Sequence, residues 1–146
     1  MLFRSSIIFL SLCILYGCAS FRYPPVQKRL FSREIPKNEV DTIKNTILNN
    51  GYKRITRDNY SYEGAIVTQY AKEVSTTQIN SRVLIMLTFK ETSVESDFYR
   101  NMGVTISNLD RKDIPEINDE VNRIEQILYN KLLEVAGKDN VVKRER

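Results

Sequence analysis

Arg82-Val83-Leu84-Ile85-Met86-Leu87-Thr88-Phe89-Lys90 is the stretch whose reading decides the fold class. Val83, Ile85, Leu87 and Phe89 alternate onto one side, the period of a β-strand, while Leu84 and Met86 fall on the other. Apolar residues on both sides mark a central strand, covered on both faces. On either side of it, Ala65–Glu73 and Phe98–Ser107 read as neighbouring strands. In the latter, Phe98, Met102, Val104 and Ile106 share a side, and Gly103 marks a bulge. Tyr52–Thr56 is a shorter strand running into the polar turn Arg57-Asp58-Asn59, and Tyr60 and Tyr62 extend it or open the next element.

Two helical patterns flank these strands. Val40, Ile43, Ile47 and Leu48 recur at helical spacing over Asn38–Asn50, with Asn38 and Asp41 as the N-terminal cap and Gly51 at the end. In the last element, Ile117, Val121, Ile124, Leu128, Leu132 and Val135 follow at steps of four, three, four, four and three. Asp113 and Glu116 fit a capping box, Pro115 suits a first turn, and Gly137 stops the helix. At 1.5 Å per residue the stretch Ile114–Ala136 reaches about 35 Å, the length of the longer strands. The expectation is one α+β domain over 38–137. It holds a four-stranded, mainly antiparallel sheet with two helices on one face, in the order α-β-β-β-β-α.

The 146 residues are 42% hydrophobic and 27% charged, which suits a single globular domain and not a multispan membrane protein. The chain has no histidine or tryptophan, and its two cysteines are Cys13 and Cys18. A Ser-His-Asp triad, a Cys-His dyad, a zinc site of His and Cys ligands and a disulfide framework are thereby excluded. No glycine-rich phosphate loop occurs among the five glycines.

The first residues have the layout of a secretory signal: Arg4 as the positive charge, an apolar stretch Ile7–Tyr16 broken by Ser11, then Gly17-Cys18-Ala19-Ser20. Ile7 to Ala19 is too short for a membrane span, which needs about 20 residues. Leu15-Tyr16-Gly17-Cys18 resembles the lipobox of bacterial lipoproteins, with Tyr16 bulkier than the usual residue there. The resemblance implies cleavage after residue 17, a diacylglycerol thioether on Cys18, and acyl chains such as palmitate at the new N-terminus. The thiolate is the nucleophile this chemistry needs, and each buried methylene adds roughly 0.8 kcal/mol of membrane affinity. Under the sorting rule of enteric-type envelopes, Ala19 in place of aspartate sends the protein to the outer membrane, facing the periplasm. Cleavage after Ala19, which releases a soluble chain, and an uncleaved anchor are the competing readings.

Residues 18–37 hold Pro24, Pro25 and Pro36 and read as a lipidated, basic tether; residues 138–146 read as a basic tail. From Phe21 to Lys37 five basic residues face one acid, and from Lys138 to Arg146 four face two. The stretch 38–137 carries 12 basic and 15 acidic residues, so the positive charge belongs to the arms. The arms either touch anionic headgroups or serve as solvated linkers, and the second is favoured. An export signal and the lack of a recognition motif argue against nucleic acid.

Carboxylates are the remaining candidates for acid–base work: Glu91, Glu95 and Asp97 in one connection, and Asp110, Asp113, Glu116, Asp119 and Glu120 at the start of the last helix. Acids there also complement the helix dipole or simply face water, the favoured reading. No calcium-loop pattern accompanies them. The expectation is no catalytic residue, no metal and no cofactor. A candidate binding face combines Tyr60, Tyr62, Tyr70, Leu84, Met86 and Tyr99, on the side of the sheet that the helices leave uncovered; cross-strand packing of aromatics explains the tyrosines equally. The functional expectation is a non-enzymatic, membrane-anchored envelope lipoprotein that docks on a protein or polymer of the envelope. A ligand-binding or inhibitor module using the same sheet face is the alternative.

Overall fold

Gln27–Pro36 forms β1, the first element in the computed structural model, which describes residues 27–56, 60–62, 64–77, 79–90, 95–108 and 114–145. A 3-10 turn over Lys37–Glu39 leads into α1 (Val40–Asn49). Five strands follow: β2 (Lys53–Arg54), β3 (Tyr60–Tyr62), β4 (Ala65–Ser75), β5 (Asn80–Lys90) and β6 (Phe98–Asn108). Then come α2 (Pro115–Ala136), a second 3-10 turn over Lys138–Asn140, and β7 (Val141–Glu145). The antiparallel sheet is six positions wide, in the order β2-β4-β5-β6-β1-β7, with β3 sharing the outer edge of β4 with β2.

The four-stranded order α-β-β-β-β-α is therefore wrong; the chain runs β-α-β-β-β-β-β-α-β. Two of the added strands come from segments read as tether and tail. β1 lies inside the sheet, paired with β6 from Gln27↔Ser107 to Pro36↔Phe98 and with β7 from Lys28↔Glu145 to Ser32↔Val141. Its Leu30 and Ile35 are 1% and 0% exposed. These two are an odd number of residues apart, so a strict two-residue alternation would place them on opposite faces. The strand bends between them, and the Ser32 hydroxyl donates to the Glu34 carbonyl across the bend at 2.8 Å.

A matching irregularity lies in β6. Between its pairings with Thr88 and Lys90 of β5, β6 carries an extra residue, running from Gly103 to Arg100. Asn101 within it has φ 54°, the left-handed conformation a bulge of this kind needs and asparagine tolerates. The bulge is thus at Asn101, not Gly103. It turns Phe98 outward (44% exposed) and Tyr99 inward, where its ring stacks on Phe89 at 4.7 Å. Gly103 serves another need, since a Cβ there would lie 2.7 Å from the Thr88 hydroxyl oxygen.

One core holds the domain. Val83, Ile85, Leu87 and Phe89 of β5 and Met102, Val104 and Ile106 of β6 meet Val40, Ile43 and Ile47 of α1. Ile117, Val121, Ile124, Leu128 and Leu132 of α2 complete it. Both helices therefore pack on the same face of the sheet. Leu84 and Met86 point to the other face and are only half-buried, so among the described residues the helices cover β5 on one side only.

The helix ends also differ from expectation. Asn38 lies in the 3-10 turn, and no side chain caps α1. At α2 the N-cap is Ile114, whose carbonyl accepts from Ile117 N and Asn118 N at 3.1 and 3.0 Å, with Pro115 next in the first turn. Asp113 lies outside the described residues. β7 is fastened to α2 by Lys143, whose Nζ is 3.3 Å from Glu125 Oε2, a carboxylate 4% exposed, and 5.7 Å from the Tyr129 ring centroid. A buried carboxylate without a cation is costly, so this pair fixes where β7 sits.

Two measurements check this assignment of β1. Leu30→Ala should lower stability to urea by about 2–5 kcal/mol, the cost of a large-to-small change in a packed core. A chain starting at residue 38 should lose dispersed amide NMR signals, while one starting at residue 27 should keep them.

Candidate functional site

Strand register fixes what the helix-free face presents. Opposed residues of antiparallel neighbours share a face, so Lys53, Ala71, Leu84 and Ser107 form one row. Gln69, Met86, Thr105, Arg29 and Arg144 form the next, and Val67, Thr88, Gly103, Phe31 and Val142 a third. Glu73 opposite Arg82 closes the end near Leu84. The centre is apolar or hydroxylic and the margins are basic. Lys53, Arg29, Arg82 and Arg144 are all exposed. Arg144 lies over the Phe31 ring, 5.9 Å from its centroid, and leans back on the sheet as a cation–π pair. Val142 beside it is 38% exposed.

Lys53, Ala71, Glu73 and Arg82 line a shallow hollow of about 400 Å³ at one end of this face, with Gly51 and Ile55 at its rim. Gly51 has φ 87°, which lets the chain leave α1 and reach β2 in two residues.

The candidate face is only partly the set expected. Leu84 and Met86 lie on it. Tyr70 is 2% exposed and belongs to the core under the helices. Tyr99 is also on the helix side, against Phe89, with Lys37 Nζ 5.4 Å from its ring. The backbones of Tyr60 and Tyr62 pair with Val67 and Ala65; their side chains lie outside the described residues. The same holds for Leu15, Tyr16, Gly17 and Cys18. Sequence reasoning missed Phe31, Val142, Arg29, Arg82 and Arg144 as face residues. Phe31, Arg29, Val142 and Arg144 lie in segments assigned to tether and tail, whereas Arg82 shares the parity of Leu84 and Met86 in the strand already read.

On the helix side, one polar cluster stands out. Glu120 accepts from Tyr52 Oη at 3.0 Å, Lys72 Nζ at 3.1 Å, and both Arg123 Nη2 and Nε at 2.8 Å. Arg123 Nη1 reaches Asn50 Oδ1 at 2.9 Å, so the cluster ties the α1–β2 turn to α2 and β4. Burial pushes the Glu120 carboxyl upward, but the hydrogen bonds from Arg123, Lys72 and Tyr52 outweigh it and hold the group below the usual range. Burial, then the charge and hydrogen bond of Glu120, drive the Tyr52 hydroxyl upward. A carboxylate kept charged by three donors is a structural anchor and a poor general acid.

The other acids are dispersed. Glu116 and Asp119 flank an open groove of about 470 Å³ that Lys72, Glu73 and Arg123 also line. Glu95 and Asp97 are exposed, and the Asp97 carbonyl accepts from Lys37 N at 2.8 Å. Glu91, Asp110 and Asp113 lie outside the described residues. Among the described residues no three carboxylates or thiols are grouped to hold a metal ion, and no helix is long and apolar enough to cross a membrane.

The cluster sets a pH dependence. Because the folded Glu120 pKa is depressed, its stabilisation is full above the unfolded carboxylate value, about 4.3, and is lost as pH falls through the folded one. Glu120→Gln should cost about 1.5–3 kcal/mol at neutral pH, the range for hydrogen bonds to charged groups. The gap from wild type should close as pH drops below the carboxylate range, read as urea midpoints along a pH series.

No protein-family model matches the chain, and no curated protein is similar to it at a significant level.

Proposed function

We propose that the protein is a membrane-anchored bacterial envelope lipoprotein, acylated at Cys18, that works without catalysis by docking another envelope component through its helix-free sheet face. The anchoring part rests on Leu15-Tyr16-Gly17-Cys18 at the end of the apolar stretch. Ala19 after the cysteine supports an outer-membrane location, facing the periplasm, where the envelope follows the enteric sorting rule.

The observation that carries the docking part is the one-sided covering of the sheet. Leu84 and Met86 sit half-buried on β5, with Phe31 and Val142 on the same face beyond β6, on β1 and β7, while both helices occupy the other side. An apolar patch ringed by charge at the middle of a sheet is the kind of surface that marks an interaction site. A small-ligand module fits less well, because the hollow beside Lys53 and Arg82 is shallow and charged where ligand pockets are enclosed and mostly apolar.

Intact mass and membrane partitioning of the native protein, beside Cys18→Ser, test the anchor. The reading expects a wild-type mass that begins at Cys18 plus lipid and partitions with membranes, with the variant left unprocessed or released. A soluble wild-type product beginning at Ser20 would contradict it.

A further inference from the structure

We infer that the envelope component met by the helix-free face is the anionic phospholipid bilayer to which the protein is anchored, an inference that rests on the lipoprotein reading above. Two independent observations lead there: how the domain divides its charge, and how little chain separates it from Cys18.

Charge is segregated across the thickness of the domain. The six acidic and three basic residues of α1 and α2 are met on their side of the sheet by Lys72 and Lys143, which leaves that side close to neutral. Among the described residues the opposite face carries Lys53, Arg29, Arg82, Arg144, Lys90 and Arg100 against the carboxylates Glu73 and Glu34. A body with one basic and one near-neutral side orients in the field of a negative surface, basic side inward. The basic side also holds the apolar centre, with Leu84, Met86 and Phe31 placed to meet the interfacial zone once the cations are seated on headgroups.

The chain length makes that orientation reachable. With β1 beginning at Gln27, only residues 19–26 separate the sheet from Cys18. Nine Cα steps span at most about 32 Å, no more than the length of the eleven-residue strands β4 and β5 at roughly 3.3 Å per residue. The entry point is itself at the basic margin, since Gln27 is two residues from Arg29 and pairs with Ser107 in the Leu84 row. A domain held this close samples orientations in which its charged face comes within a Debye length, about 8–10 Å, of the headgroups.

The test uses the full acylated chain in vesicles of phosphatidylcholine, or of phosphatidylcholine with phosphatidylglycerol. An environment-sensitive fluorophore is attached at Thr105→Cys on the open face, or at Gln126→Cys on the exposed side of α2. On phosphatidylglycerol vesicles the Thr105→Cys label should shift to the blue and lose most of its quenching by aqueous acrylamide. On phosphatidylcholine it should remain quenched, and the Gln126→Cys label should stay in water on both. High salt should return the Thr105→Cys label to water, and Arg82→Gln and Arg144→Gln should each weaken the contact roughly fivefold. A Thr105→Cys label that stays quenched on anionic vesicles overturns the inference while leaving the anchor intact. So does a blue shift of the same size at Gln126→Cys. A chain that fails to float with phosphatidylcholine vesicles overturns the anchor, and this inference with it.

Discussion

The pairing of β1 between β6 and β7 is the interaction on which the rest of the structure depends. β1 carries Leu30 and Ile35 into the core and is the strand, among the described residues, on which β7 pairs. Each of these contacts joins residues distant in sequence, so the ordering cost is repaid only when the chain closes on itself. The Lys143–Glu125 pair then locks the last strand to the helix beneath it.

The same pairing shapes the surface. Without β1 and β7 the helix-free face would end at β6, with Leu84 and Met86 one strand from that edge. With them, the apolar centre extends to Phe31 and Val142 and acquires a basic margin at Arg29 and Arg144. The positive charge of the arms is divided by the fold, with Arg29 and Arg144 on the helix-free side and Lys37 and Lys143 on the helix side. The Glu120 cluster lies on the helix side and holds the α1–β2 turn in place, which keeps Lys53 at the far margin of the face.

Legibility in the sequence followed local periodicity. β5 and α2 repeat their apolar residues cleanly, and both stand within two residues of where their patterns place them. β1 does not: Leu30 and Ile35 reach the core from positions of opposite parity because the strand bends at Ser32–Glu34, and Pro36 at its end imitates a linker. The bulge at Asn101 produced a related error, exchanging Phe98 for Tyr99 on the inner side of β6. β7 is five residues, three of them charged, and is a strand only because β1 is there to pair with it. For the candidate face, Leu84 and Met86 were readable from β5 alone. Tyr70 was not, because β4 is half-buried on both sides and its phase is set by β5, not by its own composition.

Amide hydrogen exchange of the backbone of β1 tests the central claim most directly. If β1 is an inner strand, the amides of Leu30, Ser32 and Ile35 exchange as slowly as those of Ile85 and Leu87 in β5 and through the same global opening. Exchange of residues 27–36 at the rate of an unstructured chain, with β5 still protected, would return this segment to a tether and dissolve both the sheet order and the basic face described above.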